Sequence, residues 1–328
     1  MFKKWKDIEN SCKEKMIKKF FNTYTFEDEI FQVTEKIHGS NLSIIFYPDG
    51  HREYARRSGV LKDENFYNYK EAFKKENNPD LYIFLNAIQQ FAIKNGQIIQ
   101  LIGELFGKGV QKGIYYGEGI YWRWFGTYAN EEFLAVEDEE LLLSKIEDLG
   151  FDVYPDKIRV PLLCLFSNIS SAKDFIDQVK QIDLEKDSLL TPPGYNKKNI
   201  AEGVVIRPYN RNYAINHQWF LFKYKHPKFE EIIMGKNKAK KPKVKVSEKV
   251  QNIAQEMCRY VNENRTESLF SKEGEIQDEK QIGEYIKLYL EDIYKDCLLD
   301  LKDLKKEEKK YINKQMTNLI VKELRRCL

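Results

Sequence analysis

The chain has 328 residues, 42% of them hydrophobic and 13% aromatic, which is enough for a substantial core and more chain than one ordinary domain uses. Lys+Arg 54 against Asp+Glu 51 leaves a net charge of +3, so no chain-wide excess of cations marks a nucleic-acid binder, although a local patch could still act as one. Five scattered cysteines (Cys12, Cys164, Cys258, Cys297, Cys327), with no C-x-x-C pair, argue against a disulfide framework and against a cysteine zinc site.

The N-terminal "MFKKWKDIENSCKEKMIKKF" is too charged for a signal peptide, and no apolar run approaches the ~20 residues of a membrane helix. A cytoplasmic protein with reduced thiols and no membrane contact is expected. Residues 29–60 read as β: "EIFQVTEKI" is followed by two strand-like runs joined at the Pro48-Asp49-Gly50 turn. "PDLYIFLNAIQQFAIKNG" reads as a helix closed by Gly96. "QIIQLIGELFG" and the aromatic "GIYWRWFGTY" read as strands on either side of a glycine-rich loop. Residues 135–190 mix helix signals with short apolar runs such as "VPLLCLF". "AEGVVIRPYN" and "QWFLFKYKH" are two further strands joined by a polar turn.

The texture then changes. Lys236, Lys238, Lys240, Lys241, Lys243 and Lys245 surround Pro242 with almost nothing to bury, as in a linker or an exposed arm that meets a phosphate backbone. Beyond Ser247, a plausible helix cap, the apolar period becomes helical: Ile282, Tyr285, Ile286, Tyr289 and Ile293 share one face, as do Met316, Leu319, Ile320 and Leu324. The tyrosine-rich face fits a core better than a base-stacking platform. The expected division is a domain over 1–233, a basic linker over 234–246 and a helical domain over 247–328.

Charges interrupt the predicted strands at four places. Lys36 ends one strand in "EKIHGSN". Glu104 lies inside "LIGELFG", Glu202 leads "AEGVVIRP", and Lys223 and Lys225 stand two apart on one face of "FLFKYKH". Arg56 and Arg57 follow the alternation of "REYA". A lone charge of this kind is a solvated surface group; gathered into one pocket, the acids suit ribose hydroxyls and a divalent ion, and the paired lysines suit phosphates. Lys36 is then a candidate nucleophile, because an amine attacks only when deprotonated and neighbouring cations favour that form.

"EKIHGSN" resembles the K-x-H-G-x-N motif of phage-type RNA ligase 2 and the kinetoplastid RNA-editing ligases, a branch of the covalent nucleotidyltransferases. "ARRSG", "GELFGKGVQKG", "YWRWF", "AEGVVIRP" and "FKYKHPKF" follow in that family's order, so the resemblance covers nearly the whole chain. It implies an α+β fold: an ATP-grasp-like nucleotidyltransferase domain of antiparallel sheets with flanking helices, plus a small all-α C-terminal domain. The implied activity is ATP-dependent sealing of 3′-OH and 5′-phosphate RNA ends at nicks in a duplex or an RNA/DNA hybrid, with Mg²⁺ (or Mn²⁺ in its place), by a monomer. A capping-type guanylyltransferase and an inactive RNA-binding protein of the same fold are the alternatives.

The resemblance also assigns roles. Lys36 would take AMP from ATP as a lysyl phosphoramidate. Glu35 and the backbone at Ile37 would meet adenine. His38 and Asn41 would stand near the reacting phosphate and the metal's water shell. Arg57 would lie near the ribose and the 5′-phosphate, Glu104 would bind the ribose, Glu202 would hold the metal, and Lys223 and Lys225 would contact the AMP phosphate. Trp124 stands at the adenine-stacking position, with Trp122 as the other candidate on that strand face. Phe125 replaces an acid, and Arg207 stands where the phage enzyme has a lysine; either side chain could touch phosphate, with different geometry. His51, His217 and His226 are read as bystanders.

Overall fold

A computed structural model describes residues 2–5, 8–10, 14–62, 65–230, 247–297, 299, 301 and 304–328. The chain divides into two units, Met1–Lys228 and Phe229–Leu328. The expected linker, 234–246, with its lysine cluster, lies outside the described residues, as does Cys12.

The first unit runs β1 (Glu9–Asn10), α1 (Glu14–Thr23), β2 (Phe31–Lys36), β3 (Ser40–Phe46), β4 (Arg52–Arg56), β5 (Gly59–Val60), α2 (Pro79–Asn95), β6 (Ile99–Gly107), β7 (Ile120–Ala129) and β8 (Glu132–Phe133). It continues through α3 (Val136–Glu147), α4 (Pro155–Ile158), β9 (Leu162–Phe166), α5 (Ala172–Lys180), β10 (Gly203–Pro208), the short hairpin of β11 (Ala214–Ile215) and β12 (Gln218–Trp219), and β13 (Phe222–Lys225). One sheet has the order β1-β13-β10-β2-β9 and the other β5-β4-β3-β6-β7-β8. All their pairings are antiparallel except β1 with β13.

Helix α2 forms where its sequence signals say. Asn78 caps the start by accepting from the Leu81 N–H, Pro79 takes the first turn, and Gly96 closes the end at φ 62°. Its apolar side, with Leu81, Phe84 and Ile88, packs on Leu42, Ile44, Leu101 and Leu105 of the six-stranded sheet. The five-stranded sheet is covered by α1 and α5 through Phe20, Phe31, Phe175, Val204 and Phe222. A third cluster, Trp5, Ile102, Tyr128 and Leu221, joins the two sheets face to face. Each sheet therefore has one helix-covered face and one face toward the other sheet, and charges on the inner faces meet there.

The second unit is α6 (Glu248–Cys258), α7 (Glu263–Glu273), α8 (Ile282–Asp296) and α9 (Lys306–Leu324), apart from one short 3₁₀ turn. Ser247 caps α6 through the Val250 N–H, as its sequence predicts. Tyr285, Tyr289 and Ile293 are buried with Met316, Ile320 and Leu324, so the tyrosine face is core. The Tyr289 hydroxyl donates to the Asn262 carbonyl inside that core. No described helix is long and apolar enough to cross a membrane.

Gly103 illustrates how tightly β6 and β7 are fitted. A Cβ there would lie 2.2 Å from the Trp122 ring and 2.5 Å from the Arg123 carbonyl oxygen. Trp122 is fully enclosed and donates to the Leu42 carbonyl, so it cannot swing aside. Gly103→Ala should cost about 1–3 kcal/mol of stability by overpacking, read as a lowered urea midpoint; an unchanged midpoint would show that this contact can relax.

Candidate active site

The site is built on the "EKIHGSN" crossing, which carries the chain from β2 in one sheet to β3 in the other. Strand pairing fixes what faces Lys36. Gly203 of β10 lies between Lys36 on β2 and Lys225 on β13, and in the next inward-facing row Val205 lies between Thr34 and Lys223. Side chains of directly paired residues share a face, so Lys36, Lys223 and Lys225 point the same way. Gly203 itself has φ 151°, and a Cβ there would meet the Tyr224 carbonyl oxygen at 2.2 Å, so only glycine fits between the two lysines.

Glu202 enters beside that gap and gathers the cations. Its Oε2 accepts from Lys36 Nζ at 2.8 Å and lies 3.2 Å from His38 Nδ1, while its Oε1 lies 3.0 Å from Lys225 Nζ. The carboxylate is 3% exposed. Burial pushes its pKa up, but Lys225, Lys36 and the His38 bond outweigh burial and hold it well below the usual carboxylate range. The His226 N–H donates to the Glu202 carbonyl at 2.9 Å, which fixes the backbone at this point.

The second sheet supplies the other wall. Asn41 on β3, Glu104 on β6 and Arg123 on β7 form one cross-strand row. The crossing lies directly against this row: a Cβ on Gly39 would meet the Leu105 carbonyl oxygen at 2.2 Å and Glu104 Cγ at 2.9 Å. Burial raises the Glu104 carboxyl to about 7; Lys36 pulls it down, Glu202 pushes it up, and His38 and Arg57 pull it down further. Arg57, in the turn after β4, therefore acts on this acid through its charge.

Lys36, His38, Glu202 and Lys225 are thus brought together by direct contact. Asn41, Glu104 and Arg57 stand on the facing wall, and Lys223 is one step back along β13. Glu35 is placed differently from its neighbours. It pairs with Val204, on the helix-covered side, and its carboxylate accepts from the Ser188 hydroxyl and from the Leu189 N–H at 2.8 Å. Burial raises its pKa against those two bonds. It anchors the 188–199 loop, and Ile37 beside it is buried.

Two expectations are corrected. Trp124 and Trp122 do not offer a ring to adenine: both are 0% exposed and belong to the α2-side core. Trp124 lies 5.3 Å from the Phe84 ring and carries the Arg159 guanidinium at 4.4 Å from its centroid, and its indole N–H donates to the Gly126 carbonyl and the Thr127 hydroxyl. The physical reason is alternation. Trp122 pairs with Leu105 and Trp124 with Gly103, whereas Glu104 pairs with Arg123 on the opposite face. Arg207 does not reach the lysine cluster either. It is 7% exposed, donates to the Phe125 carbonyl at 2.8 Å and pairs with Glu139 of α3 at 3.3 Å; Glu139 also lies 3.7 Å from Arg159.

Other contacts had no reading in the sequence. The Tyr116 hydroxyl accepts from the His38 N–H at 3.0 Å, and Glu35, Glu202 and Glu104 all act on it through their charge. Asn199, also buried, holds the loop that carries Tyr116 to the 188–199 segment. The glycines that bracket "GIYYGEG", directly after the Glu104 strand, were the available signal for Tyr116.

The RNA ligase family profile matches residues 29–225, and the profile of the T4 RNA ligase 2 C-terminal region matches residues 244–322. The chain belongs to the RNA ligase family, and its second unit is of the T4 RNA ligase 2 C-terminal type. Among solved structures it is similar to substituted forms of Naegleria gruberi RNA ligase. An apo form is 21% identical over 68% of this chain and 55% of that chain, with a TM-score of 0.47. A form with ATP and manganese is 20% identical over 70% and 57%, and a form with AMP and manganese is 19% identical over 70% and 57%; both have a TM-score of 0.48. The matched region thus spans a little over half the length of those ligases.

Two substitutions check this geometry. Glu104 has a folded pKa near 7 against an ordinary value of 4.5, so its ionisation destabilises the fold above pH 7 and has no such effect below pH 4.5. Glu104→Gln should therefore gain stability relative to the parent as pH rises from 4.5 to 7, by up to about 3 kcal/mol. A pH-independent difference in urea midpoints would contradict the shift. Glu139→Ala leaves Arg207 and Arg159 without their shared buried acid and should cost about 3–5 kcal/mol by the same measurement.

Proposed function

We propose that this protein is an ATP-dependent RNA ligase that seals 3′-OH and 5′-phosphate ends at nicks in an RNA-containing duplex. The observation that carries the reading is the buried Glu202 carboxylate holding Lys36, His38 and Lys225 together, within the stretch that matches the RNA ligase family. The Naegleria gruberi structures with ATP or AMP and manganese bear on cofactors for that protein, and the same cofactors are proposed here.

In the first step Lys36 Nζ bonds to the α-phosphorus of ATP, its proton departs, and the bond to pyrophosphate breaks. Lys225 and Lys223 face the phosphate from the same side and offset charge as the α-phosphate becomes five-coordinate. His38 is held by Glu202 and, through its N–H, by Tyr116, which fixes the turn that aims Lys36. Asn41 and Glu104 on the facing wall suit the ribose. Two further transfers complete the reaction: AMP passes from Lys36 to the RNA 5′-phosphate, and the RNA 3′-OH then displaces AMP.

The residues fit a divalent ion of the magnesium type. Among the described residues no cluster of three or more His, Cys, Asp or Glu forms a protein cage, and Mg²⁺ is ordinarily held by one or two carboxylates, waters and substrate phosphates. Glu202 would be the acid that holds it. Such an ion, bound with ATP, would supply positive charge to the α-phosphate and the leaving pyrophosphate.

We assign self-adenylylation to residues 1–233 and engagement of RNA to the helical residues 247–328. The described cysteines Cys164, Cys258, Cys297 and Cys327 are free thiols, in keeping with work in a reducing compartment.

Incubation with Mg²⁺ and α-labelled ATP should leave a covalent adduct that survives denaturation, lost in Lys36→Ala. No adduct with ATP, or an equal one in the variant, would sink the reading; label from GTP alone would assign a capping-type guanylyltransferase instead.

A further inference from the structure

The loop between β6 and β7 and the 188–199 loop both touch the chain around Lys36. Tyr116 reaches inward to the His38 N–H, and Ser188 and Leu189 reach inward to Glu35. The loops are clasped by Asn199: its Oδ1 accepts from the Tyr115 N–H at 2.8 Å, and its Nδ2 donates to the Tyr115 carbonyl at 2.7 Å. On the outward side of the clasp the rings of Tyr115 and Tyr195 stack, with centroids 4.7 Å apart and planes at 28°. Neither tyrosine is enclosed; both are half-buried.

Around this pair Lys108, Lys112, Lys197, Lys198 and Lys228 outnumber Glu118, Glu185 and Asp187, the last of which accepts from the Asn199 N–H at 2.7 Å. Glu118 is tied to Lys108 at 2.7 Å and to the Tyr115 hydroxyl at 3.1 Å, and Glu185 is tied to Lys198 and His226. Lys112 and Lys197 are exposed and have no ion pair among the described residues. Lys228 is exposed as well and donates to the Gly113 carbonyl at 3.4 Å. Aromatic faces interleaved with cations, at the edge of a site that handles phosphates, are the pattern that binds unstacked nucleotides.

We propose that Tyr115 and Tyr195 form a stacking platform for a nucleobase of the RNA end presented to Lys36, with Lys112 and Lys197 meeting its phosphates. This subsite rests on the ligase reading and adds to it a contact outside the adenylylation machinery. If the two rings only lock the loops together, their loss should loosen Asn199, Tyr116 and Glu35 and so slow the charging of Lys36. If they hold RNA, charging should be indifferent to them.

The experiment uses the full chain with Tyr195→Ala and Tyr195→Phe, since the Tyr195 ring stacks on that of Tyr115. Two quantities are read at one fixed salt concentration: the rate and ATP KM of self-labelling, and the affinity for an RNA duplex with one nick bearing a 3′-OH and a 5′-phosphate. Tyr195→Ala should label as the parent does, with unchanged ATP KM, and bind the nicked RNA about tenfold more weakly. Tyr195→Phe keeps the ring and should retain the affinity. Unchanged RNA affinity in Tyr195→Ala overturns the proposal. So does a raised ATP KM with RNA affinity intact, or a parallel loss of labelling and RNA affinity. A parent that binds RNA but never labels counts against the ligase reading, while the affinity comparison still decides the platform.

Discussion

One carboxylate organises the first unit. Glu202 is buried between two sheets, and three nitrogens from three separate segments converge on its two oxygens. Lys36 ends β2, His38 lies in the crossing, and Lys225 ends β13. The two lysine cations at such distances repel one another, and in a buried space that repulsion is weakly screened. An anion among them turns the arrangement into a stable one, and the folded state in turn holds the Glu202 carboxyl well below its usual pKa.

The backbone makes this convergence possible at points where a side chain would block it. Gly203 lets β13 come close beside β10 so that Lys36 and Lys225 flank an empty position. Gly39 lets the crossing press on the β6 carbonyl beside Glu104. The remaining restraints come from loops: Tyr116 on the His38 N–H, Glu35 on the 188–199 segment, and Asn199 between the two. Farther from the lysines, Glu139 with Arg207 and Arg159 ties α3 and the end of α4 to β10, and Arg207 reaches the β7 backbone at Phe125. The angle between the sheets, and so the width of the site, rests on these contacts together.

What could be read in the sequence follows from the range of each signal. Strands β2, β3, β6, β7 and β10 were legible because period-two alternation and turn residues are local, and α2 because its cap, proline and closing glycine are local too. The lysine pair was legible because a spacing of two fixes a common face. Trp124 was misplaced because alternation shows that Trp122 and Trp124 share a face without showing which face is covered by α2. Arg207 was misplaced because its partner Glu139 lies 68 residues earlier, on a helix whose packing no local pattern reveals. Tyr116, Ser188 and Asn199 act from loops, where no period exists to align a side chain with a distant strand.

The lysines' shared partner also sets where their nitrogens stand. A phosphate offers Lys36 and Lys225 the same interaction that Glu202 does, an oxygen anion at hydrogen-bonding distance. Glu202 thus balances the charge of the two lysines and keeps their nitrogens close to one another. The ordering of these long lysine side chains, which costs conformational entropy, is met in the folded protein. Were Glu202 neutral, the lysines would lose their shared anion, although Gly39 would still press on β6 and the Tyr116 hydroxyl would still hold the His38 N–H.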